Sequence, residues 1–202
     1  MNPATDSTSA GEPLTSEHHR QYLLATQRGG KIRAAAKRAW FNGWVTGFFA
    51  LASAPFAPFS LSGFLVTLGL AVVTYNEFCG RRMLLAFNPH AAKLLGWNQI
   101  GFLAIIVGYS LWMIVEGYRG PSPLEVELKA NPDLQALLGS PDELQQLYQF
   151  FVLAVYGTCI VLSGLFQGLN AWYYFARRQY LIAYLKETPQ WILQLQRASL
   201  TS

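Results

Sequence analysis

Residues 39–76, AWFNGWVTGFFALASAPFAPFSLSGFLVTLGLAVVTYN, form a run of 38 without a formal charge between Arg38 and Glu77. As continuous helix at about 1.5 Å per residue it would reach roughly 57 Å, nearly twice a hydrocarbon core of about 30 Å. The run supplies its own turn. In Ala54-Pro55-Phe56-Ala57-Pro58-Phe59-Ser60, each proline removes a backbone donor and biases the residue before it away from helix. The stretch therefore reads as a hairpin of two membrane spans, about 40–54 and 61–78.

Two further uncharged runs follow. Leu94 to Val115 holds 22 residues, roughly 33 Å of helix, and predicts one crossing over about 94–116. Leu144 to Ala176 holds 33 residues and no proline, too few for two crossings and a turn, and predicts one long helix that overshoots the bilayer or tilts. Hydrophobic residues are 52% of the chain, charged residues 13%, and mean hydropathy is +0.22, a balance that soluble folds of this length rarely show. The predicted fold class is all-α integral membrane: a four-transmembrane-helix bundle with short interfacial helices.

Lys and Arg set the expected orientation. Six precede the first span (Arg20, Arg28, Lys31, Arg33, Lys37, Arg38), three fall in the second connection (Arg81, Arg82, Lys93) and four in the tail (Arg177, Arg178, Lys186, Arg197). The third connection is acidic, with Glu116, Glu125, Glu127, Asp133, Asp142 and Glu143 against Arg119 and Lys129. Both termini are thus expected in the cytoplasm of a cell (inner) membrane. The expected organisation is a flexible cytoplasmic leader (1–20), a four-helix membrane domain (21–187) with an outer loop (117–143), and a cytoplasmic amphipathic tail (188–202). The first apolar stretch starts too far in for a cleavable signal peptide, so the first span doubles as a signal anchor.

Local signals refine the connections. Ser122-Pro123-Leu124-Glu125 and Ser140-Pro141-Asp142-Glu143 are capping boxes with proline at the first helical position, predicting short helices near 123–130 and 132–138 and the start of span four. Asn88-Pro89 starts span three early. Thr188-Pro189 starts a last short helix whose Trp191, Ile192 and Leu195 share one face, a pattern suited to lying on the membrane. Arg81-Arg82 and Arg177-Arg178 close spans two and four alike, a faint internal repeat.

In lipid, small residues drive helix association because tails are as apolar as the side chains. Gly43 and Gly47 in span one, Gly101 and Gly108 in span three, and Gly157, Gly164 and Gly168 in span four form such stripes, assigned to helix packing or partner binding. Asn76, Gln167 and Asn170 are the intramembrane polar residues, and Glu77 is spaced to pair with Arg81 one turn on. Lys31, Arg33, Lys37, Arg38, Arg81, Arg82, Arg177 and Arg178 are the expected contacts to anionic lipid headgroups. Cys79 and Cys159 sit in membrane positions that argue against a structural disulfide.

Reactive constellations are not legible in the chain. There is no Ser-His or paired-Asp arrangement inside a span, no His-Glu-x-x-His metal helix, no phosphate-binding loop and no dinucleotide fingerprint. No catalytic site, metal or cofactor is expected, and no module presents the basic stretch to nucleic acid. The expected function is a non-catalytic accessory, scaffold or assembly subunit binding other membrane proteins, or a homodimer. A dimeric pore or uncoupled carrier for a small neutral solute, lined by Asn76, Gln167, Asn170, Thr158 and Tyr156, is the alternative. An interfacial lipid-modifying enzyme using Glu77, His90 and the arginine pairs is the third reading.

Overall fold

The computed structural model describes residues 15–122 and 141–198. Described residues form helices and short connections: α1 (Ser16–Arg28), α2 (Gly30–Ser53), a 3-10 helix (Ala54–Phe59), α3 (Leu61–Leu85), α4 (Ala91–Arg119), α5 (Pro141–Glu187) and α6 (Gln190–Ala198). The short helices expected near 123–130 and 132–138 lie outside the described residues.

The double-proline turn falls where the sequence puts it, and Ser60 caps α3 by accepting from the Gly63 amide at 3.0 Å. α2 and α3 pack closely as an antiparallel pair. The hydroxyls of Thr46 and Thr74 meet at 3.1 Å, and Thr67 donates to Ser53 at 3.0 Å. α4 and α5 form the second close pair, α3 joins α4, and α2 touches α5. By length and composition, Leu61–Leu85, Ala91–Arg119 and Asp142–Glu187 are each able to cross a membrane. α2 is not among them. Its charges reach Arg38, which leaves about 15 apolar residues before the 3-10 helix, roughly 22 Å. α5 is a single helix of 47 residues, about 70 Å long, in agreement with the overshoot read from its uncharged run.

The tight packing is concentrated at the basic end. Ala25 of α1, Ile32, Ala35, Ala36 and Ala39 of α2, Leu84 of α3, Leu95 of α4, Leu181 and Tyr184 of α5, and Ile192 and Leu193 of α6 form one buried cluster. Glycines admit close contact in the α3–α4 and α4–α5 seams. A Cβ on Gly80 would stand 2.5 Å from Leu95, and one on Gly96 would stand 2.6 Å from Phe175. Elsewhere large apolar side chains face outward, among them Phe48, Leu51, Leu68, Val161 and Phe166.

Two expectations are corrected here. Residues 16–20, assigned to the flexible leader, are the first turns of α1, capped by Thr15, whose hydroxyl accepts from the His18 amide. The apolar side of the tail helix is largely covered by protein: Ile192 and Leu193 are buried, Trp191 packs against the same cluster and the His18 ring, and Leu195 is exposed. Its periodicity was legible, but periodicity does not say whether lipid or protein covers the face.

α3 ends in an unusual way. Phe87 has φ 56, in the left-handed region that L side chains avoid, and the amides of Phe87 and Asn88 close back on the carbonyls of Leu84 and Met83. The strain costs about 1 kcal/mol and is offset by burial of the ring, which stacks on Tyr184 with centroids 4.8 Å apart. Phe87→Ala keeps the strain and loses the stack, whereas Phe87→Gly loses the stack and relieves the strain. Both should lower the melting temperature in mild detergent, with the alanine variant lower by an amount worth about 1 kcal/mol. Equal melting of the two would refute the account.

Candidate functional site

Glu77 is fully buried, although it is one residue beyond an uncharged run. Its Oε1 accepts from Asn98 Nδ2 at 2.9 Å and from Gln99 Nε2 at 2.6 Å, and its Oε2 faces the Tyr174 hydroxyl at 3.4 Å. Asn76 donates to Asn98 Oδ1 at 3.1 Å, and Asn42 donates to Tyr174 Oη at 3.3 Å. One polar knot thus takes groups from α2, α3, α4 and α5. The pairing of Glu77 with Arg81 expected from their spacing is not made. The side chain turns inward to the three donors, and among the described residues the carboxylate has no ion pair.

The knot was not assembled from sequence, yet a signal was present. Asn42, Asn76, Glu77, Asn98, Gln99 and Tyr174 each lie between three and six residues membrane-ward of the nearest Arg or Lys on their own helix. Helices aligned by their basic ends therefore bring these groups to one depth. The groups bonded to Glu77 are two amides and a phenol, and among the described residues the carboxylate is shut away from solvent.

The predicted packing glycines separate into two sets. Gly43 and Gly47 lie in the α2–α3 seam, where an added Cβ would meet Phe78 at 3.1 Å and Thr74 at 3.2 Å. At Gly101, Gly108, Gly157, Gly164 and Gly168 an added Cβ would meet nothing within 4 Å. These stripes meet no other helix among the described residues. The close intramolecular approaches use Gly69, Gly80, Gly96 and Gly117 instead, which the stripe reading missed because each is an isolated glycine facing one large side chain.

The polar residues assigned to a pore also separate. Asn76 is engaged by Asn98, and Tyr156 pairs edge-on with Tyr109, whereas Gln167 and Asn170 are half-buried on α5.

The eight basic residues divide three ways. Lys31 sits 4.1 Å over the Tyr180 ring and Arg38 4.1 Å over Tyr173, so these two tie α2 to α5 by cation–π contact, and Arg177 covers Tyr173 one turn back on its own helix at 4.4 Å. Arg33, Lys37 and Arg81 line an open groove between α2 and α3. Arg82 and Arg178 are exposed. Glu77, His90 and the arginine pairs therefore do not converge: the carboxylate is inside, Arg81 faces the groove, Arg177 covers tyrosines and His90 is exposed.

Comparison with protein families, with curated proteins and with solved structures found no match.

Removing the carboxylate in Glu77→Ala leaves buried donors on Asn98 and Gln99 unpaired and should cost about 3 kcal/mol or more. Glu77→Gln keeps an oxygen for the Asn98 and Gln99 donors and sets its new amino group beside Tyr174 Oη, which can accept. That variant should stay within about 1 kcal/mol of the parent. Thermal unfolding of both in one detergent checks the order; equal losses would exclude a hydrogen-bonded knot.

Proposed function

We propose that the chain crosses the cell membrane four times with both termini in the cytoplasm, and acts without catalysis as an accessory, scaffold or assembly subunit for other membrane proteins. The antiparallel pairing of α2 with α3 supports the fourth span, because a helix bonded along α3 shares its depth. A short apolar length is accommodated by local thinning and by snorkelling of Lys37 and Arg38. The gathering of Arg33, Lys37, Arg81 and Arg177 at one end supports the orientation, as does the acidic third connection.

The observation that carries the reading is the second set of glycines. Gly101 and Gly108 on α4, and Gly157, Gly164 and Gly168 on α5, weaken their helices by about 1 kcal/mol each relative to alanine and meet no compensating contact among the described residues. In hydrocarbon, a bare helix backbone gains from close approach of another helix. The enclosure of Glu77 and the divergence of the reactive side chains support a role without chemistry.

Native purification in mild detergent should bring down a stoichiometric membrane-protein partner, and the pair Gly164→Leu with Gly168→Leu should abolish it while leaving melting within about 1 kcal/mol. Gly80→Leu should instead prevent folding, since Leu95 already fills that space. A chain that runs as a lone monomer under varied gentle conditions would overturn the proposal. Reporter fusions after Gly120 should report the outer side and fusions at either terminus the cytoplasm.

A further inference from the structure

We propose that the groove between α2 and α3 at the basic end binds the phosphate of an anionic glycerophospholipid. The groove has a volume of about 580 Å³ and brings together Arg33, Lys37 and Arg81 with Trp40 and Leu85, and no acidic residue lines it. Three like charges in one concavity repel and together raise a positive potential there, which a bound anion relieves. Among the described residues none of the three rests on an aromatic face or in an ion pair, in contrast to Lys31, Arg38 and Arg177 on their tyrosines. Arg33 is also braced, its guanidinium donating to the Thr26 carbonyl, which leaves the rest of its fork for a phosphate.

The surroundings distinguish a lipid from a free anion. Trp40 stacks edge-on with Trp44 at 6.3 Å, and Trp44 with Phe78 at 6.1 Å, so an aromatic ladder descends from the cations along the α2–α3 seam. Trp40 and Trp44 are 46% and 59% exposed. Indole rings favour the headgroup level, and the lower rungs present apolar surface to acyl chains. A soluble phosphate would use the cations and leave this surface idle; a glycerophospholipid uses both.

The test is native mass spectrometry of the full, delipidated chain in mild detergent, titrated with phosphatidylglycerol, phosphatidylcholine or inorganic phosphate. A saturable one-to-one adduct is expected with phosphatidylglycerol, at least ten-fold tighter than with phosphatidylcholine and not displaced by millimolar phosphate. At roughly five-fold per basic residue, Arg33→Ala, Lys37→Ala and Arg81→Ala combined should weaken it roughly a hundred-fold. Arg82→Ala with Arg178→Ala should leave it unchanged. Equal binding of the two lipids by the parent chain would overturn the proposal without any variant. Unaltered binding by the triple variant would overturn the location. Displacement by inorganic phosphate would assign the groove to a soluble phosphate and overturn the lipid.

Discussion

Helices inside hydrocarbon cannot be held together by the hydrophobic effect, because the solvent is as apolar as the side chains. What remains is polar attraction and close contact, and in this chain both are concentrated around Glu77. A buried carboxylate is tolerable only with its acceptors filled. Filling them draws Asn98 and Gln99 from α4 and Tyr174 from α5 onto α3, and Asn42 of α2 follows through the Tyr174 hydroxyl. The packing around the knot depends on this convergence: Gly80 on Leu95 and Gly96 on Phe175 lie beside it, and each would be blocked by one added methyl group.

The rest of the molecule grades away from that point. Toward the basic end the seams close into a buried cluster that includes α1 and α6, reinforced by cations laid on Tyr173 and Tyr180. Away from it the spans present phenylalanines and leucines outward, and the α4–α5 pair is tied at its far end by Gln145, which accepts from the Ser122 amide and donates to the Gly120 carbonyl. Open glycine faces lie along the spans themselves, where another helix has access.

Much of this architecture was legible because charge and proline are strong signals in a membrane chain. The hairpin turn at Pro55 and Pro58, the apolar stretches of α3, α4 and α5, and the gathering of basic residues at one end all follow from where charges are tolerated, whereas the helices run on past those stretches into charged sequence. Contacts were less legible. Glu77 read as the partner of Arg81 because spacing along one helix is visible in sequence, whereas Asn98 and Tyr174 are 21 and 97 positions away. Glycine stripes left helix packing and partner binding both open, because periodicity marks a face without naming its neighbour. The first turns of α1 were lost in a polar leader, since its start depends on Thr15 and His18 rather than on an apolar stripe.

Past Ala176, α5 runs on for eleven residues through Arg177, Arg178 and Lys186 to Glu187, and Leu181 and Tyr184 on that extension are buried under α1 and α6. On the proposed topology this cap lies in water, where its cohesion is that of a small soluble core with a positive heat capacity of unfolding, while the spans on the same helix gain nothing from that driving force. One continuous rod thereby joins two portions of the protein whose cohesion depends on temperature in different ways.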